Sequence, residues 1–143
     1  MLFHRQSDKA EVLKKVPLFE NLNKRDLDRV AKIADEVDSK PGEVLMRQGD
    51  RGREFMLVVD GKVRIERDGH VIAHRGPGEF LGEMALLDGK PRTATVVTEE
   101  PSTLLVIHWG QFWPLLESVP AVQRKMLIGL SGRMREMQAA LDV

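Results

Sequence analysis

One stretch holds residue types that could do chemistry together: Gly78-Glu79-Phe80-Leu81-Gly82-Glu83-Met84-Ala85-Leu86-Leu87-Asp88-Gly89-Lys90-Pro91-Arg92-Thr93-Ala94-Thr95-Val96. Gly82 permits a close approach of backbone to a ligand. The run Glu83 to Leu87 can form one helical turn, whose first N–H groups have no intrahelical partner and suit an anion, phosphate above all. Arg92 follows a rigid proline and supplies a guanidinium that can grip two phosphate oxygens and keeps its charge. Glu83 beside such an anion makes sense only if it faces something else. A carboxylate there can accept from a hydroxyl, such as a ribose 2′-OH. The residues thus suggest a site for one phosphate and one hydroxyl.

The elements that must position this stretch fall into three parts. Residues 1 to about 38 read as helical. Asn23 is a candidate N-cap, and Leu27, Val30, Ala31, Ala34 and Val37 after it recur at the spacing of one buried helical face. Ahead of it, Val16-Pro17-Leu18-Phe19 forms an apolar plug. Residues 40 to 108 carry turn signals every eight to twelve residues, from Lys40-Pro41-Gly42 through Asp60-Gly61 and Asp68-Gly69 to Glu100-Pro101. Short apolar runs separate them at residues 44–46, 55–59, 63–65, 71–73, 95–97 and 104–107. Many short strands at that spacing imply a sandwich or barrel. Residues 109 to 143 return to helix. A short helix is expected over 111–117, followed by a longer one capped by Ser118 with Pro120 in its first turn. Its apolar stripe comprises Val119, Val122, Met126, Leu130, Met137 and Leu141, interrupted by Gly129 and Gly132. The stripe reads as core, with a second copy of the chain as the other candidate for covering it.

Bulk properties narrow the function class. A chain of 143 residues suits one domain, here taken as 1–143. Cysteine is absent, which removes disulfides, thiolate metal sites and cysteine nucleophiles. Twenty-two basic and 22 acidic residues balance to zero, which argues against a general nucleic-acid or anionic-membrane binder. No apolar run approaches a bilayer span, and the first eight residues lack the apolar region of a leader. A soluble cytoplasmic protein is expected. His70, His74 and His108 lack the close spacing of a metal-binding roll, so no metal site is expected. No P-loop, Ser-His-Asp set or metal cluster points to an enzyme.

The segment closely resembles the phosphate-binding cassette of the cyclic-nucleotide-binding domain family, whose members include cAMP receptor proteins, kinase regulatory subunits and cyclic-nucleotide-gated channels. The resemblance is carried by Leu81-Gly82-Glu83-Met84-Ala85-Leu86 and Pro91-Arg92-Thr93-Ala94-Thr95-Val96. It is extended by Gly49-Asp50, Val59-Asp60-Gly61-Lys62-Val63 and Gly76-Pro77-Gly78-Glu79-Phe80. Trp109 to Leu116 resembles the family's B helix, and the last helix its C helix. The implied fold is α+β: an antiparallel, jelly-roll-like β-roll flanked by N-terminal helices and C-terminal B and C helices, with the cassette at 80–96.

The resemblance also implies roles. Glu83 would bind the ribose 2′-OH, with backbone groups of Gly82 and Met84 beside it. The Ala85 N–H and Arg92 would hold the cyclic phosphate, and Thr93 and the Ala94 backbone would complete its shell. Arg133 would reach the base from the C helix, with Arg135 as its rival. Two positions depart from the family pattern: Leu81 replaces a usual Phe, and Arg53 replaces an acid that often follows Gly-Asp. Thr93 does not decide between cAMP and cGMP; cAMP is the favoured ligand.

The implied function is a regulatory sensor acting through cassette and C-helix movement, with a downstream protein or a second copy as partner. Rival classes are an enzyme, the sensory half of a transcription regulator or channel, and a protein-interaction module that has lost nucleotide binding. Val143 stands where a DNA-reading domain would begin, so no nucleic-acid contact is expected from the chain itself.

Overall fold

Among the described residues, eight strands form two four-stranded sheets in which every pair is antiparallel. The elements, in a computed structural model that describes residues 6–141, run as follows. Helix α1 (Gln6–Lys14), a 3-10 turn (Pro17–Phe19) and α2 (Lys24–Ile33) precede β1 (Ala34–Ser39), β2 (Val44–Met46), β3 (Glu54–Asp60), β4 (Val63–Arg67), β5 (His70–Arg75) and β6 (Phe80–Leu81). Helix α3 (Glu83–Asp88) leads to β7 (Thr95–Thr98), β8 (Ser102–His108), α4 (Trp109–Ser118) and α5 (Pro120–Leu141). The strand orders in the two sheets are β1-β8-β3-β6 and β2-β7-β4-β5. This is the β-roll with flanking helices that the sequence implies. The start and end of the chain, on which the leader and Val143 expectations rest, lie outside the described residues.

The continuous apolar run of β3 has a simple cause. Its alternate side chains point to opposite faces. Phe55 and Leu57 join Leu105 and Ile107 of β8 against the helices, where Leu13, Phe19, Val30, Phe112, Leu115 and Val122 meet them. Met56 and Val58 point the other way and close the roll interior with Met46, Val63, Leu81, Val96 and Leu104. The strand is buried on both faces and so reads as an unbroken apolar run. The β4–β5 hairpin turns through Asp68 and Gly69 at φ 53° and 82°, the pair of positive φ angles a two-residue hairpin favours.

Asn23 caps α2 as expected: its side chain accepts from the Asp26 N–H at 2.8 Å. The helical reading of residues 34–38 is corrected. Ala34 caps the C-terminus of α2, and the chain passes directly into β1, which pairs with β8 from Ala34↔Ile107 to Ser39↔Ser102. A full edge of β8 offers these residues a ladder that their low strand propensity does not announce. Lys9 secures the junction: its Nζ donates to the carbonyls of Ala31 at 3.1 Å and Ala34 at 2.7 Å.

The expected cap at Ser118 is also corrected. Ser118 is the last residue of α4, and its hydroxyl turns back to the Pro114 carbonyl at 2.5 Å. The apolar stripe of α5 divides. Val119, which caps the end of α4, is buried with Val122 and Met126, whereas Met137 and Leu141 are exposed. Among the described residues no helix is long and apolar enough to cross a membrane.

Candidate functional site

The cassette is built by two left-handed glycines. Gly82 at φ 87° stops β6 and starts α3, and Gly89 at φ 71° ends it with its N–H on the Ala85 carbonyl. Gly82 is required by space as well as by φ. A Cβ there would lie 2.6 Å from Met46 Cε, 2.7 Å from Arg92 Nη1 and 2.9 Å from the Glu54 carbonyl. The expected helical turn thus forms, and it carries Glu83 as its first residue.

Arg92 is drawn inward behind this turn and is only 7% exposed. Its Nη1 donates to the Gly82 carbonyl at 2.8 Å and its Nη2 to the Glu54 carbonyl at 2.7 Å. Its backbone is clasped by the β2–β3 loop: the Arg92 N–H donates to the Asp50 carbonyl and the Gly49 N–H to the Arg92 carbonyl, both at 2.8 Å. Gly52 of the same loop abuts the guanidinium and Ala85 so closely that a Cβ there would overlap Ala85. Burial holds the Arg92 guanidinium below its ordinary pKa, and the carboxylates of Glu54 and Glu83 work against that shift. A desolvated cation of this kind gains more from an anion than an exposed one would.

Glu83 is 3% exposed. Arg133 of α5 reaches it, with Nη1 2.6 Å from Oε1. The same guanidinium donates to the Phe80 carbonyl and lies 4.4 Å above the Phe80 ring centroid. From Phe80 a chain of rings continues through Phe55 at 5.8 Å to Phe112 at 5.1 Å and Trp113 at 6.1 Å. The Trp113 indole N–H donates to the Leu86 carbonyl at the far side of the cassette helix, at 3.1 Å. Helix α5 crosses Phe80 at Gly129, where a Cβ would fall 2.8 Å from the ring.

The structure therefore brings Gly82, Glu83, Ala85, Arg92 and Arg133 into one cluster. Met84 points outward and is 53% exposed. Thr93 is exposed and Ala94 half-buried, with the Thr93 carbonyl accepting from Arg67 Nε at 3.0 Å. Arg135, the rival of Arg133, lines a groove along α5 instead. Sequence reasoning missed Glu54, Gly52 and Phe80. Gly52 had a signal, as the second glycine of a short Gly-Asp-Arg-Gly loop. Glu54 acts through its carbonyl, and a backbone group leaves no mark in residue type. Among the described residues no group of three or more His, Asp or Glu could hold a metal; His74 instead pairs with Glu99 at 2.9 Å.

Known proteins resemble this chain over most of its length. The sequence pattern of the cyclic nucleotide-binding domain matches residues 36–119. The chain is 32% identical over 136 residues to the cyclic AMP receptor protein of Thermus thermophilus, covering 92% of this chain and 63% of that protein. It is 34% identical over 96 residues to the cAMP-dependent protein kinase regulatory subunit of Dictyostelium discoideum, covering 62% of this chain and 29% of that subunit. The solved structure of the Thermus thermophilus catabolite activator protein superposes with a TM-score of 0.77 at 34% identity, over 88% of this chain and 62% of that one. The chain thus spans less than two thirds of these relatives' own length. With the cassette in place and the pattern matched over most of the roll, this chain belongs to the cyclic nucleotide-binding domain family, a family of regulatory binding domains.

Proposed function

We propose that the chain, as one binding unit, takes a single cyclic mononucleotide, cAMP in preference to cGMP, and acts as a cytoplasmic regulatory sensor with no reaction of its own. The observation that carries this reading is the pairing of Glu83 and Arg92 across one peptide. Arg92 Nη1 sits 2.8 Å from the carbonyl of Gly82, the residue immediately before Glu83. An acceptor for a sugar hydroxyl and a cation for a phosphate are thus held side by side, both desolvated. Glu83 would take the ribose 2′-OH, with the backbone of Gly82 and Met84 beside it. Arg92 and the Ala85 N–H would take the cyclic phosphate, with Thr93 and the Ala94 backbone completing its shell. The base would lie between the roll and α5. The preference for cAMP is supported by the two relatives named for it.

The response would be a population shift. Glu83 has one carboxylate to divide between Arg133 and a ribose hydroxyl, so ligand alters the hold of the cassette on α5. A ligand shifts such an equilibrium only by its differential affinity for the two states. The receiver of the signal would be a second copy or a downstream protein. A second copy is favoured by the exposed residues Leu127, Met134, Met137 and Leu141 of α5, which repeat with half-buried Leu130 at alternating three- and four-residue spacing, the pattern of a two-helix seam.

Titration calorimetry with cAMP and with cGMP, repeated on Arg92→Ala, tests the reading. Loss of a charge-assisted phosphate contact of about 1.5–3 kcal/mol should weaken binding about ten- to a hundredfold. Absence of binding by both nucleotides would leave the fold as a protein-interaction module.

A further inference from the structure

We propose that the loop between β2 and β3 forms a second anion site, which takes a short chain of phosphates and is coupled to the nucleotide site through Arg92. A cavity of about 440 Å³ opens where Arg47, Arg51 and Arg53 gather around Arg92, with Asp50 and Glu54 as its acidic members. Four cations against two carboxylates leave two net positive charges in one concavity, on a chain whose formal charge is zero. Among the described residues the guanidiniums of Arg47, Arg51 and Arg53 make no hydrogen bond or ion pair. All three are exposed, and like charges lining one cavity without partners repel, so an anion placed among them relieves that repulsion.

The number and form of the donors select the ligand class. One bidentate arginine satisfies one phosphate group. Three free guanidiniums spread along a seven-residue loop call for several oxyanion groups in a row. The cavity falls within the range of small-molecule pockets, about 300–1,000 Å³. A long nucleic acid would instead need an extended basic stripe, which a single seven-residue loop does not provide. A phosphate chain, inorganic or at the end of a nucleotide, matches both the charge and the size.

The loop cannot respond to such a ligand without involving Arg92. Its Gly49 N–H and Asp50 carbonyl bond to both backbone polar groups of Arg92, and Gly52 packs on the guanidinium. A second anion would also draw on the positive field that a cyclic phosphate needs, so occupancy of the loop should weaken nucleotide binding. This coupling rests on the nucleotide reading above; the anion site itself does not.

The test titrates cAMP into the chain calorimetrically at a series of fixed tripolyphosphate concentrations and constant ionic strength. The apparent Kd for cAMP should rise about five- to tenfold and then level off, as coupling between two distinct sites requires. The triple variant Arg47→Ala, Arg51→Ala, Arg53→Ala should remove that shift and keep cAMP affinity without tripolyphosphate within about twofold. Should the triple variant not fold, the single reversal Arg51→Glu serves in its place. A shift that grows without limit with tripolyphosphate would mean simple competition for one site and would overturn the proposal. So would an equal shift with orthophosphate, or no shift at all.

Direct titration of tripolyphosphate into Glu83→Ala separates the two readings, because that variant removes the ribose acceptor and leaves the loop intact. Retained binding of tripolyphosphate that Arg47→Ala, Arg51→Ala, Arg53→Ala added to Glu83→Ala then abolishes supports the second site whether or not cAMP binds. Its loss counts against the site.

Discussion

Arg133 Nη1 lies 2.6 Å from Glu83 Oε1, an ion pair that joins the last helix to the first residue of the cassette across 50 positions of sequence. Glu83 is almost wholly buried, so Arg133 is what makes its charge tolerable there. Removing one partner of a buried pair leaves the other uncompensated. Arg133→Ala should therefore destabilise the fold, by less than the about 3–5 kcal/mol of a fully buried pair because Arg133 is itself partly exposed, read as a lower urea midpoint. Arg133→Ala combined with Glu83→Gln should recover part of that loss, and an additive double mutant would refute the coupling.

Arg92→Lys keeps the charge and loses the fork that spans the Gly82 and Glu54 carbonyls. A lysine cannot reach both acceptors in a fixed geometry. Cyclic-nucleotide affinity should drop about tenfold or more, since a charge-assisted hydrogen bond is worth about 1.5–3 kcal/mol. Trp113 fluorescence can follow the titration, because its indole is bonded to the cassette helix.

Gly129 and Gly132 invite a common reading as flexible joints in α5, and the structure separates them. Nothing lies within 4 Å of a Cβ at Gly132, whereas one at Gly129 would meet the Phe80 ring. Gly132→Ala should stabilise by up to about 1 kcal/mol through helix propensity. Gly129→Ala should lower the melting temperature and push α5 off the cassette, visible as loss of amide protection around Phe80 in hydrogen exchange.

Lys9 donates to two carbonyls at the C-terminus of α2, where the chain turns straight into β1. Lys9→Met keeps the aliphatic stem and removes the cap. A loss of about 1–2 kcal/mol is expected, the value of hydrogen bonds from a charged, partly buried donor. Thermal unfolding of the two forms checks it, and equal midpoints would show the cap to be idle.

If a second copy packs along α5, Met137→Glu should place a charge in the seam and abolish self-association without changing stability at low concentration. Sedimentation velocity at several concentrations would reveal it. A wild-type chain that stays monomeric throughout would instead assign that face to a different protein.

The grouping of Gly82, Glu83 and Arg92 was legible in the sequence because it depends on residue type and close spacing. Gly82, Glu83 and Arg92 lie within eleven positions, and a glycine, a carboxylate and a guanidinium each have few reasons to stand in that order. The β-roll was legible from turn residues between short apolar runs, which local backbone preference enforces. The strand character of Ala34–Ser39 was not. Its pairing depends on β8, some seventy residues away, and Ala-Asp-Glu-Val-Asp-Ser carries no strand signal of its own. The periodicity through Ala34 and Val37 belonged to two different elements that happened to keep helical spacing across their junction.

The split of the α5 stripe into a buried half and an exposed half likewise depends on where the roll ends, which apolar spacing cannot encode. So does the partner of Arg133. Sequence could place a cation near the end of the last helix, but only the packing of Gly129 on Phe80 brings that turn of α5 over Glu83. Sequence alone determined the family and the roll, and it singled out Gly82, Glu83 and Arg92 as the residues proposed to meet a phosphate and a hydroxyl, since those readings follow from side-chain chemistry and local turns. Tertiary structure alone decided which charges meet, because an ion pair 50 residues apart and a backbone carbonyl from β3 acquire their partners only when the chain folds back on itself.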